Sequence, residues 1–308
     1  EDKSPGIVDD VTTAEAALSS CLNAPQPLSS WSRTKWLPLA RRLGRKRFVN
    51  ATKDKKLSVG ERLRAVEILT ELYGGGDTIT LLKLASDDSA RIRARAVWSA
   101  GRSGLIAKQP KLLLPFFNDA DPLVVRCALE TLVGNRNSES LEPLFPSLAR
   151  QLGANDSYVR QTAARVVSQL NNDARETLAS LVGDVGVQAE LAYHLGRVMR
   201  SQSFDADALT TGLRVLKGDH PQDVTLQAIR LVQLSLGDVG PREKQPPAFD
   251  SYAPWIDLTS FQETIKPAAE QLAAIYPTGN KQVDVELSRV LAMLAPTDGE
   301  LLDRVLAK

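Results

Sequence analysis

An all-α fold of stacked helix pairs follows from three features of the 308-residue sequence. Alanine and leucine are plentiful while aromatics make up only 5% of residues; apolar residues recur at helical spacing; and one short motif returns at a nearly fixed period. Alanine and leucine lose little conformational freedom in a helix, so the composition favours that element. The 43% hydrophobic and 24% charged content suits a folded chain. A fixed period is the signature of an array in which each unit completes its core against its neighbours.

Three segments carry the period: DDSARIRARAVWSAG (87–101), DADPLVVRCALETLVG (119–134) and NDSYVRQTAARVVSQL (155–170). Each opens on an aspartate (Asp88, Asp121, Asp156), then a β-branched residue and an arginine: Ile92-Arg93, Val125-Arg126, Val159-Arg160. The arginines are 33 and 34 residues apart, and a weaker copy places Leu63-Arg64 29 residues before Arg93. In the third segment Val159, Ala163, Val166, Val167 and Leu170 trace one helical face. The aspartates stand where N-caps belong, and Pro122 follows Asp121 at the first helical position, where its missing N–H costs nothing. Short polar turns follow, then second helices in TITLLKLAS, KLLLPFFN and LEPLFPSLARQL.

This pattern of an aspartate, a Val/Ile-Arg pair and small residues, with Pro115 and Pro146 early in the second helices, resembles the HEAT-repeat, armadillo-like family over residues 57–183. The resemblance implies an all-α, right-handed α-solenoid of about six to seven HEAT-like helix pairs with a helical N-terminal cap. It further implies that Asp88/Arg93, Asp121/Arg126 and Asp156/Arg160 form a structural ladder, each guanidinium gripping an adjacent turn. Beyond residue 183 the copies DVGVQAELAYHLGRVM and DHPQDVTLQAIRLVQLSLG keep the period but put Gln188 and Thr225 near the arginine position. Ser260 and Glu263 read as a capping box opening the helix that contains Pro267, and a last pair runs from Val283 to Lys308. Arg91, Arg95 and Arg102 lie off the apolar stripe and read as solvated.

Two stretches leave the period. Residues 1–56 form the expected cap, with two short helices and with Trp31 and Trp36 covering the first repeat; the array then occupies 57–308. Inside the cap, residues 33–56 hold ten Lys/Arg against Asp54 alone, although the net charge is only +1. The run RRLGRKRFVNATKDKK (41–56) is therefore the candidate anion contact, with Arg45, Lys46 and Arg47 at its centre; the alternative is a solvated loop. The second stretch is a long loop insertion, 237–259, whose Phe249, Tyr252 and Trp255 are candidate partner contacts or pack back on the array.

Catalytic patterns are missing from the sequence. Cys21 and Cys127 form no CxxC, His194 and His220 belong to no HExxH, YGGGD lacks the lysine of a P-loop, and no GxSxG occurs. The reading is a non-enzymatic scaffold with no catalytic, cofactor-binding or metal residues and no cofactor. It contacts another protein, or a neighbouring domain of the same polypeptide, through a concave surface built from second helices. The alternative is a nucleic-acid-binding HEAT-like protein using residues 41–56, and after it a DNA-repair glycosylase-like enzyme. No run of apolar residues is long enough to span a membrane. The chain opens at Glu1, as an excised or mature piece would. HEAT segments of this style also occur in large bacterial extracytoplasmic proteins with propeller dehydrogenase-like and haem-c modules, a likeness that implies a periplasmic setting.

Overall fold

The structure, a computed structural model, describes residues 13–133, 139–199, 203–238, 254–294 and 303. Among them every regular element is helical. Contacts gather the chain into two compact units, residues 1–147 and 148–308. The expected boundary at residue 56 falls inside the first unit, whose helices are α1 (Ala14–Leu22), α2 (Ser30–Leu43), α3 (Arg45–Lys53), α4 (Val59–Tyr73), α5 (Thr78–Ala85), α6 (Ala90–Arg102), α7 (Leu105–Lys108), α8 (Leu114–Phe117) and α9 (Pro122–Leu132). The division lies within α10 (Phe145–Leu152). The second unit holds α11 (Ser157–Gln169), α12 (Asn172–Val182), α13 (Val187–Val198), α14 (Ala206–Leu216), α15 (Gln222–Ser235), α16 (Gln262–Ile275) and α17 (Lys281–Leu294).

In the first unit α4, α6 and α9, the first helices of successive pairs, pack side by side. In the second unit α11, α13, α15 and α17 do the same, with α12 on α13, α14 on α15 and α16 on α17. The local reasons lie in the caps. Ser58 and Glu61 close a capping box on α4, and Gly74, at φ 72°, ends that helix in the left-handed region. Asp121 accepts the Leu123 N–H at 2.9 Å and Asp156 accepts that of Val159 at 2.9 Å. Asp88 does not cap: Ser89 holds the N-cap position of α6, and the Asp88 carboxylate is 95% exposed against Lys55. The expected Ser260/Glu263 box is also absent, because a 3-10 turn at Thr259–Phe261 precedes α16 and Thr259 bonds Asp257 instead. Proline breaks KLLLPFFN into a 3-10 turn (Pro110–Leu113) and the single-turn α8.

The N-terminal helices cover the face of α4. Trp36, Leu39, Ala40, Phe48 and Ala51 close over Ala65, Ile68 and Leu69 in one buried cluster, each large side chain contributing on the order of 1.5–3 kcal/mol. The Trp36 indole N–H donates to the Pro27 carbonyl at 3.1 Å. Trp31 takes no part in this cluster and stays 48% exposed. The basic run is helix, spanning the end of α2 and all of α3, rather than a solvated loop. In the second unit small residues bring helices close. A Cβ on Gly196 of α13 would lie 2.5 Å from the Ala164 carbonyl oxygen and 2.6 Å from the Val167 Cβ of α11. The tail of the expected last pair, residues 295–302 and 304–308, lies outside the described residues.

Candidate functional site

The patterned arginines fall into a register that is visible only when counted from the N-cap. Four residues past the cap stand Arg62 of α4, Arg93 of α6 and Arg160 of α11. Arg93 grips the Asp119 carboxylate from Nε at 2.6 Å and from Nη2 at 2.8 Å, and its Nη1 donates to the Asp87 carbonyl at 2.7 Å. Arg62 repeats the arrangement one pair earlier, donating to the Asp87 carboxylate from both terminal nitrogens and to the Thr52 carbonyl from Nε at 3.0 Å. Each of these aspartates also accepts the N-cap N–H of its own turn: Ser89 on Asp87 at 3.0 Å, Asp121 on Asp119 at 2.9 Å. The carboxylates engaged are thus Asp87 and Asp119, two positions before the N-caps, whereas Asp121 and Asp156 are caps.

Arg160, 7% exposed, turns to its own turn, donating from Nη1 to the Ala154 and Asn155 carbonyls at 2.5 and 2.9 Å. Arg126 stands five residues past its cap, about 100° further round the helix. Its partner is Glu130 of the same helix at 3.3 Å. Val125 occupies the gripping position and is buried. In the weaker first copy the gripping residue is Arg62, whereas the motif spacing marks Arg64.

Burial pushes Asp87 upward, but the Arg62 fork, the Ser89 N–H and Lys55 outweigh it and hold its carboxyl below the usual range. Asp119 is held down in the same way by Arg93 and the Asp121 N–H against its burial.

The candidate anion contacts are partly engaged inside the fold. Arg45 donates to the Gly75 carbonyl at 3.2 Å and Arg47 lies 3.6 Å from Glu15, while Lys46 is exposed. Of the loop aromatics, Phe249 and Tyr252 lie outside the described residues. Trp255 is half-buried, its backbone N–H donating to the Gly237 carbonyl at 3.1 Å. Beside it the Asp238 carboxylate, 1% exposed, pairs with Arg230 and, at 3.4 Å, with Arg289.

Among the described residues two concavities of about 600 Å³ stand out, one in each unit. In the second unit a polar cleft of about 600 Å³ opens over α12, α13 and the start of α14, lined by Arg175, Glu190, Tyr193, His194, Arg197 and Asp207. Several of its charges are paired: Arg197 with Asp205 at 3.2 Å and Asp207 at 3.0 Å, and Glu190 with Arg214, while Arg175 donates to the Val167 and Ser168 carbonyls at 3.3 and 3.2 Å. His194 has a buried Nδ1 without a hydrogen-bond partner, and burial, then Arg197, lowers its pKa.

In the first unit a groove of about 590 Å³ lies between the α1–α2 connection and the exposed flank of α4 and α6. Pro27, Leu28 and Trp98 supply its apolar surface; Arg64, Glu67, Glu71 and Arg95 supply its charge. Leu28 is 77% exposed. Arg95 and Arg102 sit over the Trp98 ring, at 4.8 and 5.2 Å from its centre, so these arginines are stacked rather than merely solvated. Glu67 lies 3.3 Å from Arg95 and Glu71 lies 3.8 Å from Arg102. The sequence carried a signal for this surface in the i, i+3, i+7 spacing of Arg95, Trp98 and Arg102. Nothing in it pointed to Leu28. Among the described residues no three His, Cys, Asp or Glu side chains are grouped to hold a metal, and no helix is long and apolar enough to cross a membrane.

No family model matches the chain, and no curated protein matches it. Three similar solved structures are distant in sequence. One designed armadillo repeat protein has 16% identity and a TM-score of 0.38, covering 82% of this chain and 100% of its own. An engineered protein has 15% identity and a TM-score of 0.43, covering 96% of this chain and 77% of its own. A second designed armadillo repeat protein, in complex with the peptide (KR)4, has 15% identity and a TM-score of 0.34, covering 89% and 96%.

Proposed function

We propose that the chain is a non-catalytic protein-interaction module whose contact surface in the first unit is the groove beside Trp98. The observation that carries this reading is an exposed leucine in a concavity: Leu28, 77% exposed, shares with Pro27 and Trp98 the lining of a groove whose volume is within the range of ligand sites. Tryptophan and arginine, the residue types most often found at binding hot spots, sit together there. The groove lies on first helices and the α1–α2 connection rather than on the second helices the resemblance suggested. The partner is another protein or a neighbouring domain of the same polypeptide. The nucleic-acid reading comes second, because Arg45 and Arg47 of the basic run already have partners within the fold.

The test is affinity capture with the intact chain and with Leu28→Glu and Trp98→Ala variants, which change the groove while leaving the buried Trp36 cluster alone. Proteins retained by the parent and lost by both variants support the reading. Recovery of the same proteins by all three chains removes the groove from the account.

A further inference from the structure

We infer that the groove beside Trp98 receives an acidic–apolar peptide segment, its carboxylate held by Arg64 and Arg95 and its apolar side chain by Trp98, Pro27 and Leu28. This rests on the interaction reading above and specifies the chemistry of the occupant.

The first ground is an unsatisfied buried cation. The Arg64 side chain is 7% exposed, and its one hydrogen bond runs from Nη1 to Glu67 at 3.4 Å. Its Nε and Nη2 are closed off from solvent and have no partner. Burial lowers the guanidinium's pKa, as a charge stripped of water without full compensation requires. A guanidinium carries five donors, and buried donors are normally bonded. Two residues earlier on the same helix, Arg62 is equally buried and donates through all three nitrogens. The elements packed on α4 therefore give Arg62 a partner at every nitrogen, yet Arg64 meets the Trp36 ring of α2 instead, 4.5 Å from the guanidinium carbon to the ring centre. An entering carboxylate completes the set as the guanidinium turns from Trp36 into the groove, exchanging a ring contact for charge-assisted bonds in a fork that matches its shape.

The second ground is the local charge balance. Arg64, Arg95 and Arg102 line or flank the groove, and the charge of Arg33 also bears on Arg64. Against them stand Glu67, shared between Arg64 and Arg95, and Glu71. The surplus is positive and small. Two carboxylates in the wall repel a polyphosphate track but tolerate a single carboxylate, and the exposed Leu28 and Trp98 favour one with apolar neighbours. A protein segment with Asp or Glu beside Leu, Phe or Trp has that chemistry; a nucleic acid does not.

The test is selection from a random hexapeptide library by the intact chain, then titration of the enriched peptides against versions with each Asp or Glu replaced by Asn or Gln. The expected result is enrichment of acidic residues within two positions of Leu, Phe or Trp, with the amide versions weaker by about tenfold or more. Arg64→Gln and, independently, the more exposed Arg95→Gln should lose the acidic preference while keeping the apolar one. In the parent chain the Arg64 Nε–H resonance should shift on addition of an enriched peptide. Enriched peptides without acidic residues, or an unaltered acidic preference in both variants, overturn this inference and leave the interaction reading standing. Failure to enrich any peptide overturns both.

Discussion

Removing the Asp87 carboxylate should destabilise the first unit more than any other single-residue truncation on its surface turns. In the native chain Asp87 accepts from Arg62 through both terminal nitrogens, from the Ser89 N–H at 3.0 Å and from Lys55, 3.3 Å away. Lys55 is 58% exposed and contributes little. The Arg62 and Asp87 side chains are 5% and 4% exposed, so Asp87→Ala leaves a buried guanidinium with only the Thr52 carbonyl. Breaking a buried pair in this way costs about 3–5 kcal/mol. The comparison is Arg126→Ala, whose removed pair with Glu130 within one helix is worth only about 0.3–0.5 kcal/mol. Urea unfolding followed by tryptophan emission suits the measurement, because Trp31, Trp36 and Trp98 all lie in the first unit. A loss below about 1 kcal/mol for Asp87→Ala, or equal losses for the two variants, would refute the assignment of the grip to Arg62 and Asp87.

Acid should expose the same pairs: the folded pKa values of Asp87 and Asp119 are depressed, so their stabilisation is complete above the unfolded value of about 3.9 and fades as pH falls through the folded values. Urea midpoints measured from pH 6 down to pH 3 should decline below about pH 4, and the decline should flatten in Asp87→Asn; an unchanged slope contradicts the linkage. Gly196→Ala drives a methyl into the Ala164 carbonyl and Val167, and an overpacking cost of about 1–3 kcal/mol outweighs the gain of up to about 1 kcal/mol in helix propensity. A melting temperature equal to or above the parent's would show that α11 and α13 are not held that close. Cys21, fully buried, has its thiol pushed up to about 11 by burial, with Arg64 and Arg42 pulling the other way. An aromatic disulfide reagent at pH 8 should label it only in denaturant; rapid labelling of Cys21 in the native chain would mean the cap does not close over it.

The helix pairs were legible because three independent signals agreed at the same positions: apolar periodicity, cap residues such as Asp121 and Asp156, and a fixed spacing. The grip was harder to read. Spacing between arginines cannot tell which of two neighbouring aspartates meets them, and Asp87-Asp88 offers both. Counting from the N-cap resolves it, and also separates Arg126 from the others and Arg62 from Arg64. The groove was illegible for a different reason. Leu28 and Pro27 come from a connection far from α4 and α6 in the chain, and an exposed leucine has no pattern until folding sets Trp98 opposite it. Likewise, Arg64 is identified by the hydrogen bonds it lacks, which spacing alone cannot reveal.

The Arg62 and Arg93 grips use interchangeable halves. Asp87 and Asp119 each answer the arginine before them while steadying the helix after them, so either aspartate could follow either arginine. Excising residues 87–118 would set Asp119 where Asp87 stood and hand it to Arg62. The number of copies between the N-terminal helices and α9 is then open to change by duplication or loss of one cassette, with the seam closing on chemistry already present at both ends.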